Sequence, residues 1–260
     1  MISEQTIKKE PLLPQEYETM YQVEDSYWWY CGVREIACRI LERYLPQKTM
    51  LKILDGGCGT GGNLATLGRF GKVFGVEMSK LAGSFLQKRA FKNFALGSVT
   101  QIPFRSDAFD LVTALYVNEC LTEDLPAFSE YLRILKPGGF LYVAEVAFES
   151  LRGEHDLAVG IIRRYRKNEL NEKLRKSGFE VVRSSYYNTI LFLPILIVRK
   201  IRNIFFPPSR PEKARSDFRL APTFLHAFFK RTLFWEASLL KYVNLPFGVS
   251  VFTLARKPSQ

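Results

Sequence analysis

"ILDGGCGTGGN", residues 53–63, sets five glycines within eleven positions directly behind an apolar run. A glycine-rich turn between a strand and a helix lets a ligand approach bare backbone. Gly57, Gly59 and Gly62 satisfy the dinucleotide spacing G-x-G-x-x-G. Glu77 stands about twenty residues further on, where an acid takes ribose hydroxyls. Asp55 separates two candidate ligands. It ends the first strand at the carboxyl edge of the sheet, where a neighbouring pyrophosphate would cost on the order of a few kcal/mol. Beside an ammonium and a sulfonium the same carboxylate is favourable. S-adenosylmethionine carries both, with a ribose for Glu77, so the loop suits that molecule better than NAD.

Outward from the loop, apolar runs alternate with helix-length stretches. Residues 51–55, 72–77, 93–97, 109–115 and 139–146 read as buried strands, and 62–70, 79–91 and 123–135 as helices between them. Strands that are apolar throughout, in a βαβα rhythm, predict a parallel sheet covered on both faces. "KPGG" (136–139) reads as a turn introducing a strand. A helix ended by Gly178 leads to a sixth strand, and residues 247–257 read as a closing one. Upstream, "DSYWWYCGVREIACRILERYL" is an aromatic knot leading into an amphipathic helix from about residue 33.

"LDGGCGTGG" resembles the first motif, D/E-x-G-x-G-x-G, of the class I S-adenosylmethionine-dependent methyltransferases. "GVEMSKL" resembles their acidic second motif, "GSVTQIPFRSDAFDLVTAL" their third and fourth strands, and "LRILKPGGFLYV" their helix, turn and fifth strand. The resemblance spans roughly residues 51–187 plus the last strand. It implies an α/β, Rossmann-like, doubly wound and mostly parallel seven-stranded sheet whose last strand is antiparallel. The chain then forms a single domain. Residues 1–50 make an N-terminal helical cap, 51–187 and 247–257 the core, and 188–246 a basic, apolar helical insert before the last strand.

The resemblance also implies roles. The backbone of Gly56, Gly57, Cys58 and Gly59 faces the methionine and ribose of S-adenosylmethionine, Asp55 its amino group, and Glu77 both ribose hydroxyls. Met78 packs on the adenine, with Ser98 and Val99 at its edge. The family commonly has Asp where Ser98 stands, and a serine hydroxyl accepts only without charge. Tyr116, Asn118 and Glu119, after the fourth strand, border the crevice, Tyr116 on the cofactor side and Glu119 as a second candidate base whose alternative role is a helix cap.

Two segments resemble a narrower set of enzymes that modify sugars, lipids and other secondary products. "YWWYCGVREI" (27–36) is similar to W-W-F/Y-x-G-R-R-x-I, with Val33 in place of the first arginine. "HDLAVGIIRRYRKNEL" (155–170) is similar to H-D-x-x-x-G-H-x-R-R-Y-x-x-x-E-L, with Ile161 in place of the second histidine. His155 is the candidate base for a hydroxyl acceptor. Its alternative role is to hold the loop through Asp156 or backbone. Trp28, Trp29 and Tyr30 close over the donor, grip the acceptor or pack as a staple; three adjacent rings cannot all face one pocket.

Composition bounds the partners. A chain of 260 residues with 47% hydrophobic content can bury a full core. Four cysteines at 31, 38, 58 and 120 form no C-x-x-C pair, and only two histidines accompany them, so no metal site is expected. The first twenty residues carry no apolar signal core, and reduced thiols fit a cytoplasmic setting. Residues 1–150 carry a net −2 and residues 151–260 a net +13. Within 188–246, an apolar run at 190–198 precedes Arg199, Lys200 and Arg202. That composition predicts an element peripheral to an anionic membrane surface, with core packing or a homodimer interface as the alternative. Nucleic acid is disfavoured, because the aromatics cluster with aliphatics. The expected activity is methyl transfer to a small-molecule, sugar- or lipid-linked acceptor at oxygen. N- or C-methylation, or a non-catalytic scaffold, stands as the rival.

Overall fold

The computed structural model describes residues 12–45, 50–205 and 223–259. Residues 206–222 of the predicted insert and the first eleven residues lie outside that description. Seven strands form one sheet: β1 (Leu51–Gly56), β2 (Gly71–Glu77), β3 (Phe94–Leu96), β4 (Phe109–Leu115), β5 (Leu135–Val146), β6 (Glu180–Tyr187) and β7 (Ser250–Arg256). Their order is β3-β2-β1-β4-β5-β7-β6. β1 pairs in parallel with β2 (Asp55 opposite Gly75) and with β4 (Asp55 opposite Thr113). β7 runs antiparallel between β5 and β6. The expected doubly wound sheet is therefore present.

Side chains alternate along each strand and so feed two cores. Ile53, Leu111, Tyr142 and Phe252 point to one face, and Leu54, Val112, Val143 and Val251 to the other. The second face is covered by α5 (Leu125–Ile134) and α7 (Lys167–Lys176), through Phe128, Tyr131, Leu170 and Leu174. The first is covered by α2 (Trp28–Tyr44) and α9 (Thr223–Leu240), which bury Ile36, Ile40, Leu233, Ala237 and Leu240. A Cβ on Gly32 would stand 2.2 Å from the Leu233 side chain, so the glycine is what lets α2 and α9 cross so closely. Part of the insert thus belongs to the core.

Three local readings shift. The helix expected over 62–70 shrinks to α3 (Leu64–Leu67), because Gly61 takes a left-handed φ of +96° ahead of it and Gly68 follows it. Trp28 begins α2 instead of preceding it. "KPGG" lies inside β5, where Gly138 (φ +77°) accompanies a register shift against β4. An unforeseen α1 (Pro14–Val23) packs Tyr17 against Ala82 and Phe85 of α4 (Lys80–Lys88).

The order fixes where a ligand can bind. The chain runs from β1 outward to β3, then returns to β4 on the other side of β1. Loops leaving the carboxyl ends of β1 and β4 diverge there and open a crevice.

Candidate active site

A cavity of about 230 Å³ occupies that crevice. Gly57, Cys58, Gly59, Glu77, Met78, Val99, Tyr116 and His155 line it, whereas Asp55, Gly56 and Ser98 do not. The loop is tied to the end of β2. Gly57 and Cys58 N–H both donate to the Val76 carbonyl (2.8 and 3.1 Å), and Gly59 N–H donates to Glu77 Oε2 (2.9 Å). Glu77 Oε1 accepts from Ser79 N–H (2.8 Å). Gly57 holds a φ of +67°, and a Cβ there would stand 2.6 Å from the Val117 side chain. Only glycine keeps this backbone bare and close to the wall.

Asp55 is 1% exposed. Its Oδ1 accepts from the Thr113 hydroxyl (2.6 Å), while Oδ2 makes no hydrogen bond. Burial pushes its carboxyl up to about 7, against the pull of the Thr113 and Asn63 side chains, with Glu77 and Glu24 adding repulsion. A buried acid with an orphan oxygen beside a bare glycine loop fits a cationic ligand. S-adenosylmethionine meets that requirement, and Glu77 retains acceptor capacity for a ribose.

Ser98 sits differently from the adenine-edge expectation. Its Oγ accepts from Thr100 N–H (3.1 Å) and shares a 2.7 Å contact with the Thr100 hydroxyl, closing its own turn. Val99 beside it is buried and reaches the cavity.

The N-terminal cap supplies a wall that sequence reasoning missed. Tyr17, Met20 and Glu24 line the cavity from α1 and the residue after it. Glu24 Oε1 accepts from the Thr60 hydroxyl (2.6 Å) and from Arg89 (2.8 Å), and Arg89 also donates to the Thr60 carbonyl (2.9 Å). These contacts clasp α1 onto the glycine loop. Nothing in the local pattern marks Glu24, because its partners lie 36 and 65 residues away.

Of the aromatic triplet, Trp29 and Tyr30 line the cavity. Trp28 turns away and packs on Phe229 of α9, ring centres 5.1 Å apart. Trp29 tilts against Tyr116 at 4.5 Å. Tyr116 takes a φ of +60°, uncommon for a bulky residue, and its hydroxyl meets those of Tyr187 and Ser250. Phe148, just past β5, is also left-handed at +54°. Strained aromatics therefore follow both β4 and β5.

His155 is half-buried on α6 (Glu154–Ala158), a helix too short to stand alone. Its neighbours fasten it. Asp156 takes a bidentate pair from Arg164 (2.6 and 2.7 Å) with both side chains within 1% of full burial, and Arg164 also donates to the Ala147 carbonyl (2.9 Å). Glu154 pairs with Arg202 (2.7 Å). The "HD…RRY" stretch thus has a structural component: Asp156 and Arg164 clamp the turn that presents His155. Tyr165 completes it by donating to Asp124 Oδ2 (2.6 Å). Ile161 lines the cavity as apolar wall.

Glu119 also reaches the wall. Its Oε2 accepts from Val146 N–H (2.7 Å), and burial pushes its carboxyl up to about 8. Glu145, fully buried alongside, is likewise pushed well above the usual carboxylate range by burial and by Glu119. Among the described residues no cluster of His, Cys, Asp or Glu could hold a metal ion.

Residues 54–143 match the family described as a methyltransferase domain. The demethylmenaquinone methyltransferase of Lactococcus lactis subsp. lactis is 35% identical over 113 residues, which cover 40% of this chain and 45% of that protein. The chain spans about half the length of the curated relatives it matches. Among solved structures, the cyclase SpnF superposes with a TM-score of 0.60 at 21% identity over 95% of both chains. Phosphoethanolamine N-methyltransferase 2 of Haemonchus contortus, in complex with S-adenosyl-L-methionine, gives 0.55 at 23% identity over 87% of this chain and 52% of that one. Loop, strand order and matched segment agree: residues 54–143 match the methyltransferase-domain family, and the fold around them is one that solved methyltransferase structures share.

Proposed function

We propose that the protein transfers a methyl group from S-adenosylmethionine to oxygen on a small-molecule, sugar- or lipid-linked acceptor. The observation that carries this reading is one continuous cavity running from the glycine loop and Glu77 to His155. When bound, the sulfonium supplies an activated methyl group: the carbon–oxygen bond forms as the sulfur–carbon bond breaks, leaving a thioether. Asp55 and Glu77 hold the ammonium and ribose ends at the loop. Met78 and Val99 flank the adenine. Trp29 and Tyr30 wall off water and align the acceptor, with Tyr116 on the donor side, so most of the rate comes from proximity and orientation. His155 takes the hydroxyl proton as transfer proceeds. Glu119, held protonated near neutral pH, leaves that role to the histidine. Residues 192–205 of the insert sit against an anionic membrane surface, from which a lipid-linked acceptor is drawn.

Methyl transfer to nitrogen is the second reading, since a solved structure of this fold is a phosphoethanolamine N-methyltransferase. A non-methylating role is the third, since another of the same fold is a cyclase. Incubation with methyl-labelled S-adenosylmethionine and a lipid and sugar extract separates them. Label in a product stable to mild acid and base, at oxygen by NMR, supports the proposal. Tight donor binding with no labelled product from any extract points to the scaffold.

A further inference from the structure

The helix α8 (Phe192–Phe205) is mounted with its polar side inward. Arg199 donates to the Leu151 carbonyl and lies 3.7 Å from Asp156. Arg202 pairs with Glu154, and Asn203 donates to the Arg152 carbonyl (2.8 Å). The side turned to solvent is apolar: Leu193 (61% exposed), Ile197, Val198, Ile201, Ile204 (72%) and Phe205 (71%). At about 100° per residue these positions share an arc of roughly 140°, with Lys200 exposed at its edge. An ordinary surface helix presents the opposite face. The two arginines that sequence reading gave to lipid are struts that hold the apolar face outward.

We propose that this face of α8 lies in the headgroup region of an anionic bilayer. Three observations select that occupant. Residues 151–260 carry a net +13, so a second copy of this chain, with the same charge, is repelled where an acidic lipid surface is attracted. Lys200 borders the arc, and α9 exposes Phe228 and Trp235 beside an exposed Arg231, the aromatic and cationic mixture of an interfacial element. Among the described residues no helix is long and apolar enough to cross a membrane, and fourteen residues reach only ~21 Å. The struts end on Glu154 and Asp156, the neighbours of His155, so the docked face and the acceptor end of the cavity are joined by one short helix. Acceptor delivery from the membrane rests on the proposed transfer reaction; the docking does not.

Vesicle sedimentation tests it without donor or acceptor. Wild-type protein should pellet with phosphatidylcholine vesicles containing phosphatidylglycerol at low salt, weakly with phosphatidylcholine alone, and less at 0.5 M NaCl. Ile197→Glu with Ile204→Glu should lower partitioning at least ~10-fold. Lys200→Gln should lower it ~5-fold on anionic vesicles only. Unchanged melting temperature and S-adenosylmethionine binding by calorimetry certify the fold of each variant, and Leu193→Ser serves as a milder substitute where the double variant melts early. Wild-type protein left in solution with anionic vesicles, or a double variant that pellets as well as wild type, overturns the proposal. So does a wild-type dimer in analytical ultracentrifugation that the double variant dissociates, which assigns the face to a second copy. None of these readings depends on whether methyl transfer occurs.

Discussion

Asp55 makes cofactor affinity depend on pH, and the size follows from its burial. With its carboxyl near 7 in the free protein, it is about half ionised at pH 7 and about 9% ionised at pH 6. Its raised value costs stability as pH rises through 7, because the folded state then surrenders a proton that the unfolded state has already lost. A bound ammonium reverses that preference by stabilising the carboxylate. Binding at pH 6 should therefore release ~0.9 proton and be about five-fold weaker than at pH 7, or ~1 kcal/mol. The α-amino group of S-adenosylmethionine stays largely protonated below pH 7, so the window from 5.5 to 7 isolates the protein side. Glu24, Glu77 and Glu119 line the cavity and Asp55 lies buried behind the loop, so Asp55→Asn is the necessary control. It should flatten the profile and weaken binding at pH 7 by about 1.5–3 kcal/mol. Calorimetry in two buffers of different ionisation enthalpy counts the protons directly. Affinity that stays flat from pH 5.5 to 7 in the wild type, or proton uptake on binding, refutes the assignment of Asp55 to the ammonium.

Three further outcomes follow from the site. His155→Ala should lower kcat ~10²-fold while donor affinity, read by calorimetry, stays within about two-fold; normal turnover would return the residue to a loop-holding role. Glu77→Ala should weaken S-adenosylmethionine binding by ~1.5–3 kcal/mol. It should also lower the melting temperature, since Gly59 and Ser79 N–H lose their acceptor; unchanged affinity would remove Glu77 from the ribose. Asp156→Ala strands the Arg164 guanidinium in the core and should cost about 3–5 kcal/mol. Replacing both partners, with Asp156→Leu and Arg164→Met, should recover most of that in thermal denaturation, unless the clamp holds α6 by more than this pair.

The sequence alone determined what depends on neighbours close in the chain. A loop that needs left-handed backbone must spend glycines, so Gly57 and Gly59 announce themselves. Strands buried on both faces must be apolar throughout, and an acid at the tip of β2 stands at a set distance from the loop. Those local demands located the sheet, the crevice and the glycine-loop end of the cavity. The His155 end was less legible, because its parts are defined by partners far along the chain. Asp156 reads as half of an "HD" pair until Arg164 is seen to grip it, and Trp28 cannot be told from Trp29 until α9 is placed beside α2. Glu24 gains meaning only through Thr60 and Arg89. The clearest case is α8. Its composition, apolar with arginines, is the same whichever side faces out, and the sequence reading turned the arginines to the surface. Acceptors at buried Leu151 and Asp156 and half-buried Glu154 decide otherwise, because Arg199 and Arg202 gain charge-assisted hydrogen bonds and ion pairs on the inward side.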